Sequence, residues 1–196
     1  MENRVRHLFG LSIEARIAAA DFLSDSIAKA AMRLVQCLLN NGKLLVCGQG
    51  GSAANGLHFS SALLNYYEVE RPALPVIALN SDPAVLTMFS QEGHAEQLFA
   101  RQLQALGQKE DVLIILTTSG QAMSLLYAVH SAHDRGMDVI CLSGGDGGVL
   151  ANHLGPEDIE IRASGETSAI IRETHLFILH CFCDLIEQSL FGQVLG

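Results

Sequence analysis

The chain has 196 residues, enough for one domain with a full core; 49% are apolar, only 6% aromatic, and there is no Trp. Small and aliphatic side chains must therefore fill the interior, as in an α/β protein. The formal net charge of −9 and the lack of any basic run exclude direct binding to nucleic acid through its phosphates. No apolar stretch reaches the length of about 18 residues that a membrane span needs. The opening segment MENRVRHLFG has no long apolar run, so no signal peptide is read. A cytoplasmic location is expected. The five cysteines are Cys37, Cys47, Cys141, Cys181 and Cys183, and most sit in apolar runs. They read as buried, reduced thiols. Cys181-x-Cys183 has no second pair near it and makes no metal knuckle.

Taken in order, residues 1–22 form a helix by pattern, with Val5, Leu8, Phe9, Ile13 and Ile17 at helical spacing. Ser24 or Asp25 can cap a second helix running to about Asn40. Its apolar positions are Ile27, Ala30, Ala31, Leu34, Val35, Leu38 and Leu39. Asn41-Gly42 stops it. Two helices ahead of the first strand exceed what a small sheet needs, and an apolar stripe left over commonly finds its partner in another subunit.

Leu44 to Cys47 is a short, uninterrupted apolar run, as expected of a strand buried on both faces. Gly48, Gly50, Gly51 and Ser52 follow, then a helix. A glycine-rich turn leading into a helix presents unpaired N–H groups at the positive end of the helix dipole, a ready site for an anion such as phosphate. Ser52 is placed at the N-cap, free to cap the helix or to reach the anion. The spacing is neither G-x-G-x-x-G nor G-x-x-x-x-G-K-[ST], so no dinucleotide or P-loop reading follows.

Val76 to Leu79 is the second strand, and Asn80-Ser81-Asp82-Pro83 opens a helix. Helical periodicity resumes from Glu96 to Leu106. Val112 to Leu116 is the third strand, followed at once by Thr117-Thr118-Ser119-Gly120 and a helix from about Ala122 to Asp134. Val139 to Leu142 is the fourth strand, with a glycine-rich loop from Ser143 to Gly148 and a short helix to His153. Ile159 to Ile161 is the fifth. A long helix runs from near Ser168 to about Leu190. The order βαβαβαβαβ predicts a parallel sheet covered on both faces with right-handed crossovers. The first and third loops fall at the carboxyl edge of that sheet, where ligands bind.

The motifs on this frame resemble those of sugar isomerase (SIS) domains. Gly48-Gln49-Gly50-Gly51-Ser52-Ala53 with Leu57-His58-Phe59 is similar to their first loop. Thr117-Thr118-Ser119-Gly120 resembles their second phosphate loop. Leu142 to Gly148 and Ile171 to Asp184 resemble two further segments in the right order. The likeness covers nearly the whole chain. It implies one domain over 1–196, a flavodoxin-like three-layer αβα sandwich with a five-stranded parallel sheet. Extra N-terminal helices (1–41) would serve oligomerisation ahead of an α/β core (42–196). The group includes the phosphoheptose isomerases and the proteins that associate with the replication initiator DnaA.

In the isomerases, a His and a Glu four residues on, with a Gln and a His eight residues on, imply the metal and proton-transfer site. Those positions here are His58, Ala62, Arg172 and His180. Ala62 is neither base nor ligand. Arg172 is a permanent cation that cannot coordinate a metal. Zinc needs about four ligands, and two of the implied four are lost. The second loop also carries Gln121 and Ala122 in place of Asn and Ser, and an Asn-Asp pair reads Gln91-Glu92. No catalytic residue, metal or cofactor is therefore expected, with His58 and His180 as vestiges. Gly51, Ser52, Thr117, Thr118 and Ser119 remain as phosphosugar-binding candidates.

The resemblance implies a non-catalytic homotetramer that binds a DnaA-type initiator and promotes initiation of chromosome replication. The acidic charge suits a protein that reaches DNA only through a partner. An altered sedoheptulose 7-phosphate isomerase, needing zinc, is the alternative, and a phosphosugar-sensing regulator the second. Leu190 and Phe191, past the core stripe of the last helix, are the partner-binding candidates, with Asp184 and Glu187 as acidic neighbours that select a basic surface.

Overall fold

The computed structural model describes residues 1–192. A parallel sheet of five strands runs β1 (Leu44–Gly48), β2 (Val76–Ala78), β3 (Val112–Leu116), β4 (Asp138–Gly144) and β5 (Ile159–Ala163), in the spatial order β2-β1-β3-β4-β5. Helix α1 (Glu2–Leu39) precedes the sheet, and α2 (Gly51–Leu64) crosses from β1 to β2. Helices α3 (Pro83–Gln91) and α4 (Leu98–Leu106), with a 3₁₀ turn between them, lead to β3. Helix α5 (Met123–Asp134) leads to β4, the short α6 (Gly148–Ala151) to β5, and α7 (Ser168–Phe191) follows.

Alternation along each strand builds two cores. Leu44, Val46, Val112, Ile114 and Leu116 face one side and pack with α1, α2 and α7. Leu45, Cys47, Leu113 and Ile115 face the other and pack with α4 and α5. Because both faces are covered, β1 and β3 are buried at every position. Four cysteines are buried and Cys181 half-buried, all as free thiols. Burial pushes the Cys47 and Cys141 thiols far above their usual range, so they behave as small apolar fillers.

Three sequence expectations need correction. The two leading helices are one unbroken helix. Ser24 does not cap: its hydroxyl donates back to the Ala20 carbonyl at 2.6 Å, and Asp25 pairs with Lys29 one turn on at 2.7 Å. With no Pro or Gly between Leu11 and Asn41, nothing breaks the helix there. Ser52 is not the N-cap either. Gly50 holds that place at φ 55°, so α2 starts earlier and Ser52 lies in its first turn. Finally β4 extends through Gly144, taking Ser143 from the expected loop into the strand, where it lines up with Arg162 of β5.

The sheet order reverses direction between β1 and its neighbours β2 and β3, which makes the carboxyl end of β1 and β3 the switch point of the fold. Gly48 and Leu116 are register partners, so the loops that follow them emerge side by side.

Candidate functional site

The first loop hands the chain from β1 to α2. The Gly48 N–H donates to Asn80 Oδ1 at 3.2 Å, tying the loop to the end of β2. Gln49 reaches across and donates to Ser124 Oγ on α5 at 2.9 Å. In the first turn of α2, Ser52 N bonds Gln49 O and Ala54 N bonds Gly50 O. The N–H groups of Gly51 and Ala53 have no acceptor among the described residues. Ser52 is only 4% exposed, and its hydroxyl bonds to no described residue. It is not sealed off, since among the described residues the one fully enclosed unpartnered side-chain atom is elsewhere, at His175 Nδ1.

The second loop is fixed from within. Thr117 is buried, and its Oγ1 accepts the Gly120 N–H at 3.0 Å. Gly120 sits at φ 64° against the backbone of Gly147 and Gly148, where a Cβ would collide with the Gly147 carbonyl. Thr117 therefore shapes the loop rather than offering its hydroxyl outward. Thr118 is half-buried and Ser119 exposed. Of the five phosphosugar candidates, Gly51 and Ser119 are exposed, Thr118 is half-buried, Ser52 and Thr117 are buried, and Thr117 holds the shape of the second loop.

The two histidines meet. His58 of α2 and His180 of α7 place their Nε2 atoms 3.0 Å apart, so one ring donates and the other accepts. Burial, then the neighbouring His58, holds the His180 imidazole below its ordinary pKa. His180 borders a groove of about 590 Å³ between α1 and α7, lined also by Arg16, Tyr67 and Phe177. Ala62, one turn beyond His58, is buried in the core. Arg172 lies two turns before His180, and its chain crosses the start of α2. A Cβ on Gly51 would stand 2.7 Å from Arg172 Cδ and Nε. Asn55 Nδ2 donates to the Arg172 carbonyl at 2.8 Å and pins α7 to α2.

This donor set does not fit zinc. Two imidazoles meet, but no carboxylate joins them, and the described residues contain no group of three or more His, Cys, Asp or Glu placed to hold a metal. A guanidinium beside a divalent ion would oppose its binding. Glu68 and Asp184 line the same groove as His180, but they form no metal-holding cluster with the two histidines among the described residues.

Sequence reasoning missed a second centre at the far ends of the same helices. Glu187 is no surface acid. It is buried, accepting the Arg71 Nε–H at 2.8 Å and the N–H groups of Tyr67, Glu68 and Val69. Arg71 in turn donates to the Ala62 and Leu63 carbonyls, closing the end of α2. Burial raises the Glu187 carboxyl, but these N–H bonds and the Arg71 charge outweigh it and hold it below the usual range. The Arg71 guanidinium lies 5.8 Å from the centre of the Phe191 ring. Leu190 packs partly against the core, whereas Phe191 is 36% exposed. The available signal was an Arg directly before Pro72 and a Glu beside the apolar stripe of α7.

Comparison with known proteins gives a consistent answer. Residues 11–144 match the SIS domain family. The DnaA initiator-associating protein DiaA of Escherichia coli O1:K1 / APEC is 46% identical over 191 residues, covering 97% of each chain. A phosphoheptose isomerase structure from Francisella tularensis superimposes with a TM-score of 0.92 at 46% identity, covering 95% of this chain and 97% of that one. The phosphoheptose isomerase GmhA of Neisseria gonorrhoeae gives 0.90 at 36% identity, covering 95% and 98%. On its sequence and its fold, the chain belongs to the SIS domain family.

Proposed function

We propose that this protein is a non-catalytic SIS scaffold. It binds a DnaA-type initiator and promotes initiation of chromosome replication. The observation that carries the reading is its 46% identity, across 97% of both chains, with a protein named for its association with DnaA. Identity alone does not separate the scaffold from the isomerases, because one isomerase structure is equally similar. The site favours the scaffold: Ala62 and Arg172 leave His58 and His180 without a carboxylate or an amide ligand.

The partner meets the end of α7. Phe191 projects beyond the core stripe, braced by Arg71, and Asp184 lies two turns back on the same helix. An aromatic anchor with an acidic rim suits a basic partner surface. Repetition of the patch once per subunit in a homotetramer multiplies capture without new contacts. A sugar phosphate at the loop edge is compatible with this role and independent of it.

Capture of purified DnaA by the immobilised protein tests the proposal. Phe191→Ala is the cleaner variant, because Leu190 contributes to the core. The expected result is weakened capture with the melting temperature and oligomeric state preserved. Leu190→Ala with Phe191→Ala weakens capture further and lowers the melting temperature modestly. Undiminished capture by Phe191→Ala would place the interface elsewhere.

A further inference from the structure

Residues 65–75 join α2 to β2 without regular secondary structure, yet the first part of this connection is held from two sides. Three successive N–H groups, those of Tyr67, Glu68 and Val69, donate to the Glu187 carboxylate at 2.9, 3.2 and 3.3 Å. The Arg71 guanidinium, itself on Glu187, donates to the carbonyls of Ala62, Leu63, Asn65 and Pro72. Both charged side chains are buried, so the connection presents its other side chains from a fixed base.

Those side chains alternate. Tyr67 stands against His180, with ring centres 5.5 Å apart. Tyr66 is 44% exposed, and Glu68 and Glu70 are exposed as well. The base meets the end of α7, where Arg71 lies under the Phe191 ring. Glu68 and Asp184 line one groove, so a carboxylate of the connection and one of α7 converge. No cation pairs with Glu68, Glu70 or Asp184 among the described residues. Arg71 faces Glu187, and Arg16, which lines the same groove, lies 4.0 Å from Glu173. Exposed aromatic rings and uncompensated carboxylates thus share one surface. A second copy of the chain does not suit it, because two such patches face to face would repel. A basic segment does.

We propose that the α2–β2 connection forms half of the partner surface, with Tyr66, Glu68 and Glu70 meeting a basic segment of the DnaA-type initiator beside Phe191. The inference rests on the scaffold reading and divides the work of its surface. Phe191 is the apolar anchor and sets how long the partner stays. Glu68 and Glu70 attract the basic segment and set how fast it arrives. Glu187 and Arg71 act from beneath, holding the connection beside the anchor.

Association and dissociation rates of purified DnaA on the immobilised full chain, at low and at high salt, are the test. Glu68→Lys with Glu70→Lys should slow association by about tenfold or more at low salt, and high salt should remove most of the difference. Phe191→Ala should instead speed dissociation and leave association near the parent rate. Both glutamates are exposed, so melting temperature and oligomeric state should not change. Glu157→Lys with Glu166→Lys makes the same change of charge at exposed positions flanking β5, at the opposite edge of the sheet from β2. That pair should leave association near the parent rate. An unchanged association rate in Glu68→Lys with Glu70→Lys, or equal slowing by the β5 pair, overturns the proposal and leaves the scaffold reading standing. Absence of DnaA capture by the parent chain overturns both.

Discussion

Glu187 and Arg71 form an ion pair at 2.8 Å with side chains only 6% and 2% exposed, joining the end of α7 to the end of α2. Such a pair is costly to break from one side, because the remaining charge stays buried. Glu187→Gln preserves shape but removes the charge that faces Arg71. It should destabilise the fold by about 3–5 kcal/mol, read as a lower urea midpoint. The carboxyl is held below its ordinary value, so its contribution is complete above the unfolded carboxylate value of about 4.3. It is lost as pH falls through the lower folded value, and Glu187→Gln should flatten that part of the acid limb.

His175 gives a second, separable pH response. Its Nε2–H donates to the Ser143 carbonyl at 2.8 Å, and Nδ1 is enclosed without a partner. Burial brings its pKa down to about 4. The unfolded imidazole takes up a proton near pH 6.5 and the folded one does not, so stability is full above about 6.5 and falls until about 4. The linked loss is about 3 kcal/mol. His175→Leu should be less stable at neutral pH and show a shallower slope across this window. An unchanged slope would assign the acid sensitivity to other groups.

Metal content follows from the donor set at His58 and His180. The purified protein should carry far less than one zinc per chain and show no isomerase turnover on sedoheptulose 7-phosphate. Ala62→Glu combined with Arg172→Gln should raise zinc retention, measured by elemental analysis after dialysis. Stoichiometric zinc in the parent protein, with turnover in the ordinary range of about 1–10³ s⁻¹, would restore the isomerase reading.

The outer stripe of α1 bears on assembly. Val5, Phe9, Ile13 and Ile17 are 51%, 67%, 55% and 57% exposed. A stripe of this size marks an interface. Light scattering should report a tetramer, and Ile13→Glu with Ile17→Glu should shift it toward smaller species. A monomeric parent protein would leave the stripe to some other partner.

The strands were legible because a doubly covered parallel sheet writes itself as unbroken apolar runs, as in Val112 to Leu116. The two loops that follow β1 and β3 were legible from their glycines. Helix α1 was misread at Ser24-Asp25 because a capping signal is local, and the same side chains satisfy themselves within a continuing helix. Glu187 was misread because its partner lies 116 residues away, and a lone carboxylate on a helix ordinarily faces water. Arg172 could be placed from the sequence, through the resemblance, at a position where the isomerases imply a ligand. That it lies against Gly51 with no carboxylate to answer it required the packing of α7 on α2.

Helix α1, at roughly 57 Å for its length, packs along α7 and the edge strand β5, the last elements of the described chain. During synthesis it therefore waits. Between the emergence of Leu39 and that of Phe191 roughly 150 residues must be added, on the order of ten to thirty seconds at about 5–20 residues per second. Through that interval both faces of α1 are uncovered, one awaiting its own α7 and the other, in the proposed tetramer, a neighbouring subunit. Two nascent chains on one messenger would present the same stripe to each other while still attached to their ribosomes. Closure of the domain and recruitment of the neighbour would then compete for one helix in time, and the order in which they occur would govern how much of the protein reaches its assembled form.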